Sequence, residues 1–284
     1  TLYCNLEPCS HHGKTPPCSM LIIQKGIKRV VISNADPFPS VNGQGIKQLG
    51  ESGIDVVTGC LEEEGFHVNR RFFHHVNYRR PYVILKWAQS TDGYIDLVRE
   101  PGDQEGPRWI SNELCRTLVH KWRSEESAIM VGTNTVLADN PRLNIRRWTG
   151  NNPVRITLDR RGRLSDTAHI LDGTQDTIVF SGMQRNYSGK IRTVHADPSY
   201  ELVDVMEELY DQQIISIFVE GGAELHNSFL KSGLWDEARV FTGKMSFSQG
   251  VKSPEINEKP DELLNIGDAK LEVFRNRESS LHGL

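Results

Sequence analysis

Short apolar runs alternate with helical patterns along this 284-residue chain, and no other feature constrains its fold as tightly. Runs at Tyr82–Ala88, Ala128–Gly132, Val154–Leu158, Thr177–Phe180, Ile215–Glu220 and Ala238–Phe241 read as strands buried on both faces. Helical patterns at Ser111–Ser124, Glu201–Gln212 and Ala223–Ser232 lie between them, Ser111 is placed to cap the first, and Leu271–Arg275 reads as a last strand. Strands separated by helices pair in parallel through crossovers, so the class is α/β. The first part of the chain repeats the pattern on a smaller scale. Strands are expected at Thr1–Leu6, Val30–Ser33 and Ile54–Val57, and helices at Pro16–Lys25, Ile46–Ser52 and Glu62–Asn77, with a loop over Asp36–Gly45. Tyr78-Arg79-Arg80-Pro81 is a polar break, and its proline disfavours helix at the preceding residue. Two domains are therefore expected, residues 1–79 and 80–284.

Composition narrows the function classes. A hydrophobic share of 37% and a charged share of 25% suit a soluble chain with sizeable cores. A formal charge of −4 argues against nucleic-acid binding through a general basic field. No apolar run approaches the roughly 20 residues that span a bilayer, and no leader or lipidation signal is seen. The five cysteines, Cys4, Cys9, Cys18, Cys60 and Cys115, are an odd number at irregular spacing. They make a poor disulfide framework and point to a reducing compartment, with the cytoplasm as the expected location. The chain opens in strand-like sequence, so the first domain reads as incomplete.

Cys9 and Cys18 bracket a loop rich in proline and glycine, Ser10-His11-His12-Gly13-Lys14-Thr15-Pro16-Pro17, and Cys18 starts the helix. A helix N-terminus favours thiolate, the form a zinc ion needs, although two buried thiols fit the bare pair equally well. The string Glu7-Pro8-Cys9 through Cys18 resembles the zinc motif of the riboflavin-biosynthesis branch of the cytidine-deaminase-like enzymes. The resemblance implies that Cys9 and Cys18 are two of three protein ligands to a zinc that activates water. It also requires a His-x-Glu motif for the third ligand and the general acid/base, and none occurs in the chain. Either the sequence was cut before Thr1 or this half has lost its activity. His67, His74 and His75 read as a solvated helix face, and His11 and His12 as loop residues near substrate.

Lys86 interrupts an apolar strand, where a lysine needs a partner or an exit to water. Leu85-Lys86-Trp87-Ala88-Gln89-Ser90-Thr91-Asp92-Gly93 resembles the first-strand motif of the riboflavin-pathway reductases, which have a dihydrofolate-reductase-like fold. The resemblance continues in order through Trp109-Ile110-Ser111, the string Gly132 to Leu143, Pro153 to Asp159, and Val219-Glu220-Gly221-Gly222-Ala223. A Gly-Gly turn between strand and helix also lets a backbone approach an anion, although such turns are usually plain connections. The resemblance implies a partial cytidine-deaminase-like domain followed by a dihydrofolate-reductase-like domain. It makes Lys86 and Glu220 catalytic, and Lys86, Arg123, Leu143, Arg146 and Glu220 substrate-binding. Ala88, Trp109, Thr135, Asp139, Arg160, Gly221, Gly222 and Ala223 would contact NADPH. The implied reaction reduces the ribosyl group of 5-amino-6-(5-phosphoribosylamino)uracil to ribityl, coupled in the full-length protein to zinc-dependent pyrimidine deamination. The expected partner is this small phosphorylated pyrimidine, with no nucleic acid or membrane, in a homo-oligomer. Departures are Asn140 where Asp-Asp-Pro is usual, and Arg160 where a small hydroxyl residue is common. The alternative is a reductase of the same fold with another substrate, joined to a structural zinc or dimerisation module.

Overall fold

The computed structural model describes residues 1–13, 15–38, 41–98, 106, 108–197 and 199–277. Lys14 of the cysteine loop and positions 39–40 of the Asp36–Gly45 loop lie outside them. The chain forms two compact units, Thr1–Arg80 and the chain from Pro81 onward.

The first unit runs β1 (Leu2–Leu6), α1 (Cys18–Gln24), β2 (Arg29–Asn34), α2 (Gln44–Glu51), β3 (Asp55–Thr58) and α3 (Glu62–Tyr78). The strands form one parallel sheet in the order β1-β2-β3. Ile22, Val30, Ile32 and Leu49 are the buried centre of its core. Along α3, His67 is exposed, but His74 and His75 are buried, contrary to the expected solvated face. His74 lies two turns along from His67 on the same side, so the neighbours packed against that end of the helix, not its period, bury it; burial lowers the pKa of His75.

The second unit continues with β4 (Tyr82–Gln89), β5 (Tyr94–Asp96), α4 (Glu113–Glu125), β6 (Ala128–Gly132), α5 (Thr133–Asp139), β7 (Val154–Leu158) and β8 (Thr177–Ser181). It ends with β9 (Ile191–His195), α6 (Leu202–Asp211), β10 (Ser216–Val219), α7 (Ala223–Ser232), β11 (Glu237–Thr242), β12 (Val251–Lys252), β13 (Glu262–Ile266) and β14 (Ala269–Arg275). The main sheet has the order β13-β14-β11-β4-β10-β6-β7-β8-β9. Strands β11 through β9 are mutually parallel, and β14 and β13 close one edge antiparallel. β12 and β5 form a separate ribbon.

Both faces of the sheet are covered, which is why its central strands read as continuous apolar runs. On one face α6 and α7 bury Val205, Leu209, Leu225 and Phe229 against Leu85, Met130 and Ile217. On the other, Cys115, Val119 and Trp122 of α4 pack on Tyr82, Ile84, Phe218 and Phe241. The expected Ser111 cap is corrected: Asn112 caps α4, its side chain accepting the Cys115 N–H at 2.9 Å. Among the described residues no helix is long and apolar enough to cross a membrane.

Candidate active site

Side-chain alternation along two neighbouring strands builds the polar centre of the second unit. In β4, Tyr82 and Ile84 face α4, so Lys86 faces it too, one step beyond the apolar contact. In β10, Phe218 faces the same way, and Glu220 follows it beyond the strand end. Arg123, in the last turn of α4, reaches across to meet them. Its Nε donates to Glu220 Oε1 at 2.5 Å and its Nη2 to Oε2 at 2.8 Å, a bidentate fork. Nη1 donates to the Asn144 carbonyl at 3.2 Å, and Lys86 Nζ stands 4.0 Å from Glu220 Oε2.

All three side chains are nearly buried, so partners decide their charges. Burial pushes the Glu220 carboxyl up, but the Arg123 charge and hydrogen bonds, with Lys86 behind them, bring it below the usual carboxylate range. Burial lowers the Lys86 pKa, opposed by Glu220 and assisted by Arg123. The cluster carries two cations against one anion.

Further positive charge lies alongside. Burial and then the charges of Arg123, Arg142 and Arg147 lower the Arg146 pKa, and its Nη1 donates to Asn144 Oδ1 at 3.1 Å. The Arg146 backbone N–H donates to His120 Nδ1 at 3.3 Å. His120 was not singled out in the sequence. Burial, assisted by Arg123, lowers its pKa to about 4, so it is neutral near pH 7. Its position one turn before Arg123 on the buried side of α4 was the available signal.

A cavity of about 420 Å³ opens at the C-terminal ends of β6, β7 and β10. Thr135, Arg160, Gly221 and Gly222 line it, with Arg161 and Arg163 alongside. The glycines are required here. A Cβ on Gly221 would lie 2.8 Å from Thr135 Oγ1, and Gly222 has φ +64° with a Cβ position 3.0 Å from the same atom. Ala223 begins α7, whose first N–H groups have no side-chain cap, so the turn presents donors to an anion. The buried Arg160 Nε has no hydrogen-bond partner. A glycine turn at the cavity wall and an unmatched guanidinium donor fit a phosphate-bearing nucleotide.

Other expected residues stand apart from this cavity. Trp109 is 55% exposed and stacks under the Arg116 guanidinium, 4.8 Å from the ring centroid. Ala88 packs against the α4-side core and Leu143 is buried in the core under β6. Asp139 ends α5, whose first turn carries Thr135.

In the first unit Cys18 is the first residue of α1, and its backbone N–H donates to Cys9 Sγ at 3.3 Å. The hydrogen bond to Cys9, then burial, raises the Cys18 pKa. Among the described residues no group of three or more potential metal ligands comes together. Two thiols fall short of the three protein ligands of a catalytic zinc. Glu7, next to the motif, is buried and accepts backbone N–H groups from Asp36, Gly43, Gly45 and Ile46 at 2.9–3.2 Å. It ties the end of β1 to the start of α2. Nothing in its sequence position announced that role.

A largely parallel sheet with an anion-ready glycine turn beside a buried Lys–Glu–Arg cluster makes the second unit an α/β domain built to hold an anionic ligand at the ends of its strands. The profile of the RibD C-terminal domain matches residues 81–250. The chain is 34% identical over 279 residues to the riboflavin biosynthesis protein RibD of Aquifex aeolicus, covering 96% of this chain and 77% of that protein. It is 40% identical over 251 residues to RibD of Bacillus amyloliquefaciens, covering 84% and 66%. Among solved structures, the Thermotoga maritima diaminohydroxyphosphoribosylaminopyrimidine deaminase/5-amino-6-(5-phosphoribosylamino)uracil reductase superposes with a TM-score of 0.83. That match has 35% identity and covers 95% of this chain and 78% of that one. The chain belongs to the RibD family of riboflavin biosynthesis proteins.

Proposed function

We propose that the second unit reduces the ribosyl group of 5-amino-6-(5-phosphoribosylamino)uracil to a ribityl chain, using NADPH. The observation that carries this reading is the adjacency of Glu220 to Gly221–Gly222. One chain segment joins the Lys86–Glu220–Arg123 cluster to the anion-ready turn, so a substrate at one and a nucleotide at the other would meet. NADPH, when bound, supplies the hydride that the ribosyl C1′ accepts.

The protein's own residues supply position and protons. Arg146, crowded by like charges, is relieved by an anion and is assigned the substrate phosphate. Arg123 keeps Glu220 ionised, and Glu220 accepts hydrogen bonds from the sugar hydroxyls. Reducing an imine-like carbon needs one proton besides the hydride. Lys86, whose ammonium burial makes more acidic, is placed to position the sugar and to give that proton. Thr135, Gly221, Gly222 and Ala223 would hold the nucleotide's phosphates. Arg160, with Arg161 and Arg163 nearby, would favour NADPH over NADH through the 2′-phosphate. Ala88, Trp109 and Asp139 are carried as further cofactor contacts, and Leu143 as a substrate contact, on family resemblance.

Residues 1–79 are assigned as the C-terminal part of a zinc deaminase-like domain, with Cys9 and Cys18 as two metal ligands. The test of the reductase reading is NADPH oxidation by this chain with the uracil compound and, separately, with its undeaminated precursor. Oxidation with the uracil compound is expected, and none with either compound would overturn the assignment.

A further inference from the structure

His226 is a buried titratable group with no place in the mechanism above. It lies in the first turn of α7 and is 1% exposed. Its Nδ1 is 2.9 Å from the Gly222 carbonyl oxygen. Its Nε2 is 3.1 Å from the Lys86 carbonyl and 3.2 Å from the Val219 carbonyl. The ring stands edge-on to Trp87, with centroids 5.3 Å apart. These three carbonyls belong to the residue bearing the site's ammonium, the residue before Glu220, and the glycine that closes the phosphate turn. One imidazole therefore touches the backbone of the substrate end and of the cofactor end.

Its protonation follows from the surroundings. Burial, only partly offset by the carbonyls, brings the pKa to about 4, so the ring is neutral near pH 7 and has one N–H. A proton on Nε2 serves both strand carbonyls through one shared hydrogen bond. A proton on Nδ1 instead serves the Gly222 carbonyl, which also accepts the His226 backbone N–H at 3.2 Å.

We propose that His226 is a positioning residue for the reduction, holding β4 at Lys86 and the end of β10 in register with the Gly221–Gly222 turn. The Lys86–Glu220 pair and the bound nucleotide then face one another in a single geometry. This inference rests on the reductase reading above.

The test compares wild type with His226→Leu, His226→Gln and Phe229→Leu in NADPH oxidation with the uracil substrate. Folding of each variant is followed by thermal unfolding. Phe229 is fully buried on the same helix and only packs the core, so it reports loss of stability alone. His226→Leu is expected to lower kcat by about tenfold or more, since ångström-scale misplacement can cost up to about a hundredfold. The substrate KM should move by less than about threefold, because Arg123 and Arg146 remain. His226→Gln, whose amide N–H can reach the strand carbonyls, should recover a substantial part of kcat. An active wild type beside a His226→Leu variant that matches Phe229→Leu in kcat and KM would overturn the positioning role alone. A wild type that does not oxidise NADPH would overturn the reductase reading and the positioning role together.

Discussion

At the scale of single residues, the site is governed by how buried charges are matched. Arg123 offers Glu220 a two-bond fork, and Lys86 adds a second cation at 4.0 Å. Removing one member of a buried ion pair costs about 3–5 kcal/mol, because the partner stays desolvated and uncompensated. Glu220→Gln keeps the shape and deletes the only anion of the cluster. It is expected to lose stability in that range by urea denaturation and to lose turnover as well. Lys86→Met should abolish turnover with a much smaller loss of stability, since the Arg123–Glu220 fork survives it. Equal losses of stability in the two variants would show that the fork does not dominate the cluster.

At the scale of elements, the ends of two helices matter most. Asn112 caps α4 and also donates through Nδ2 to the Ile266 carbonyl at 2.6 Å and to Asp268 Oδ1 at 2.7 Å, binding the helix start to the β13–β14 turn. Asn112→Ala is expected to cost about 1–2 kcal/mol in thermal unfolding, and Ser111→Ala less than about 0.5 kcal/mol. The opposite ranking would restore Ser111 as the cap. At the other helix, α7, the approach of Thr135 leaves no room for a side chain at Gly221. Gly221→Val is expected to weaken NADPH binding by about tenfold or more, a loss of about 1.4 kcal/mol per decade. Nucleotide fluorescence titration reads this directly, and an unchanged affinity would remove the turn from the cofactor site. The central strands are legible in the sequence, whereas β5, β9, β12 and β13 are not. Those are short or lie at sheet edges, so one-sided exposure breaks the apolar run that marks a buried strand. β13 shows this most clearly, with four of its five residues exposed.

At the scale of the whole molecule, burial of titratable groups makes the second unit acid-labile. His120 and His226 are held near pKa 4, against 6.5 for the free side chain. Between those values the unfolded chain binds protons that the folded chain refuses, so stability falls as pH drops through that window. Each imidazole contributes to that fall. Glu220 acts in the same direction: its depressed pKa gives stability above the usual carboxylate range, lost as pH falls through the folded value. Unfolding free energies at a series of pH values from 7.5 to 4 should decline steadily, and His120→Gln should flatten the curve. A flat wild-type profile would contradict the burial of both rings.

What the sequence determined by itself was the set of interactions that depend on neighbours along the chain. Periodicity announced the buried strands, a lysine inside an apolar run marked a polar centre, and Gly221-Gly222 after a strand marked a close approach. Ordered motifs, from Leu85-Lys86 to Val219-Glu220-Gly221-Gly222, made the family legible before any geometry was known. Tertiary structure alone decided which distant groups meet. Arg123 forks Glu220 from 97 positions away, and His226 reaches the Lys86 carbonyl from 140 away. His74 and His75 go inward while His67 on the same helix stays out. No local pattern encodes such pairings, because a side chain's partner and charge depend on what the folded chain places around it and on how much water it excludes.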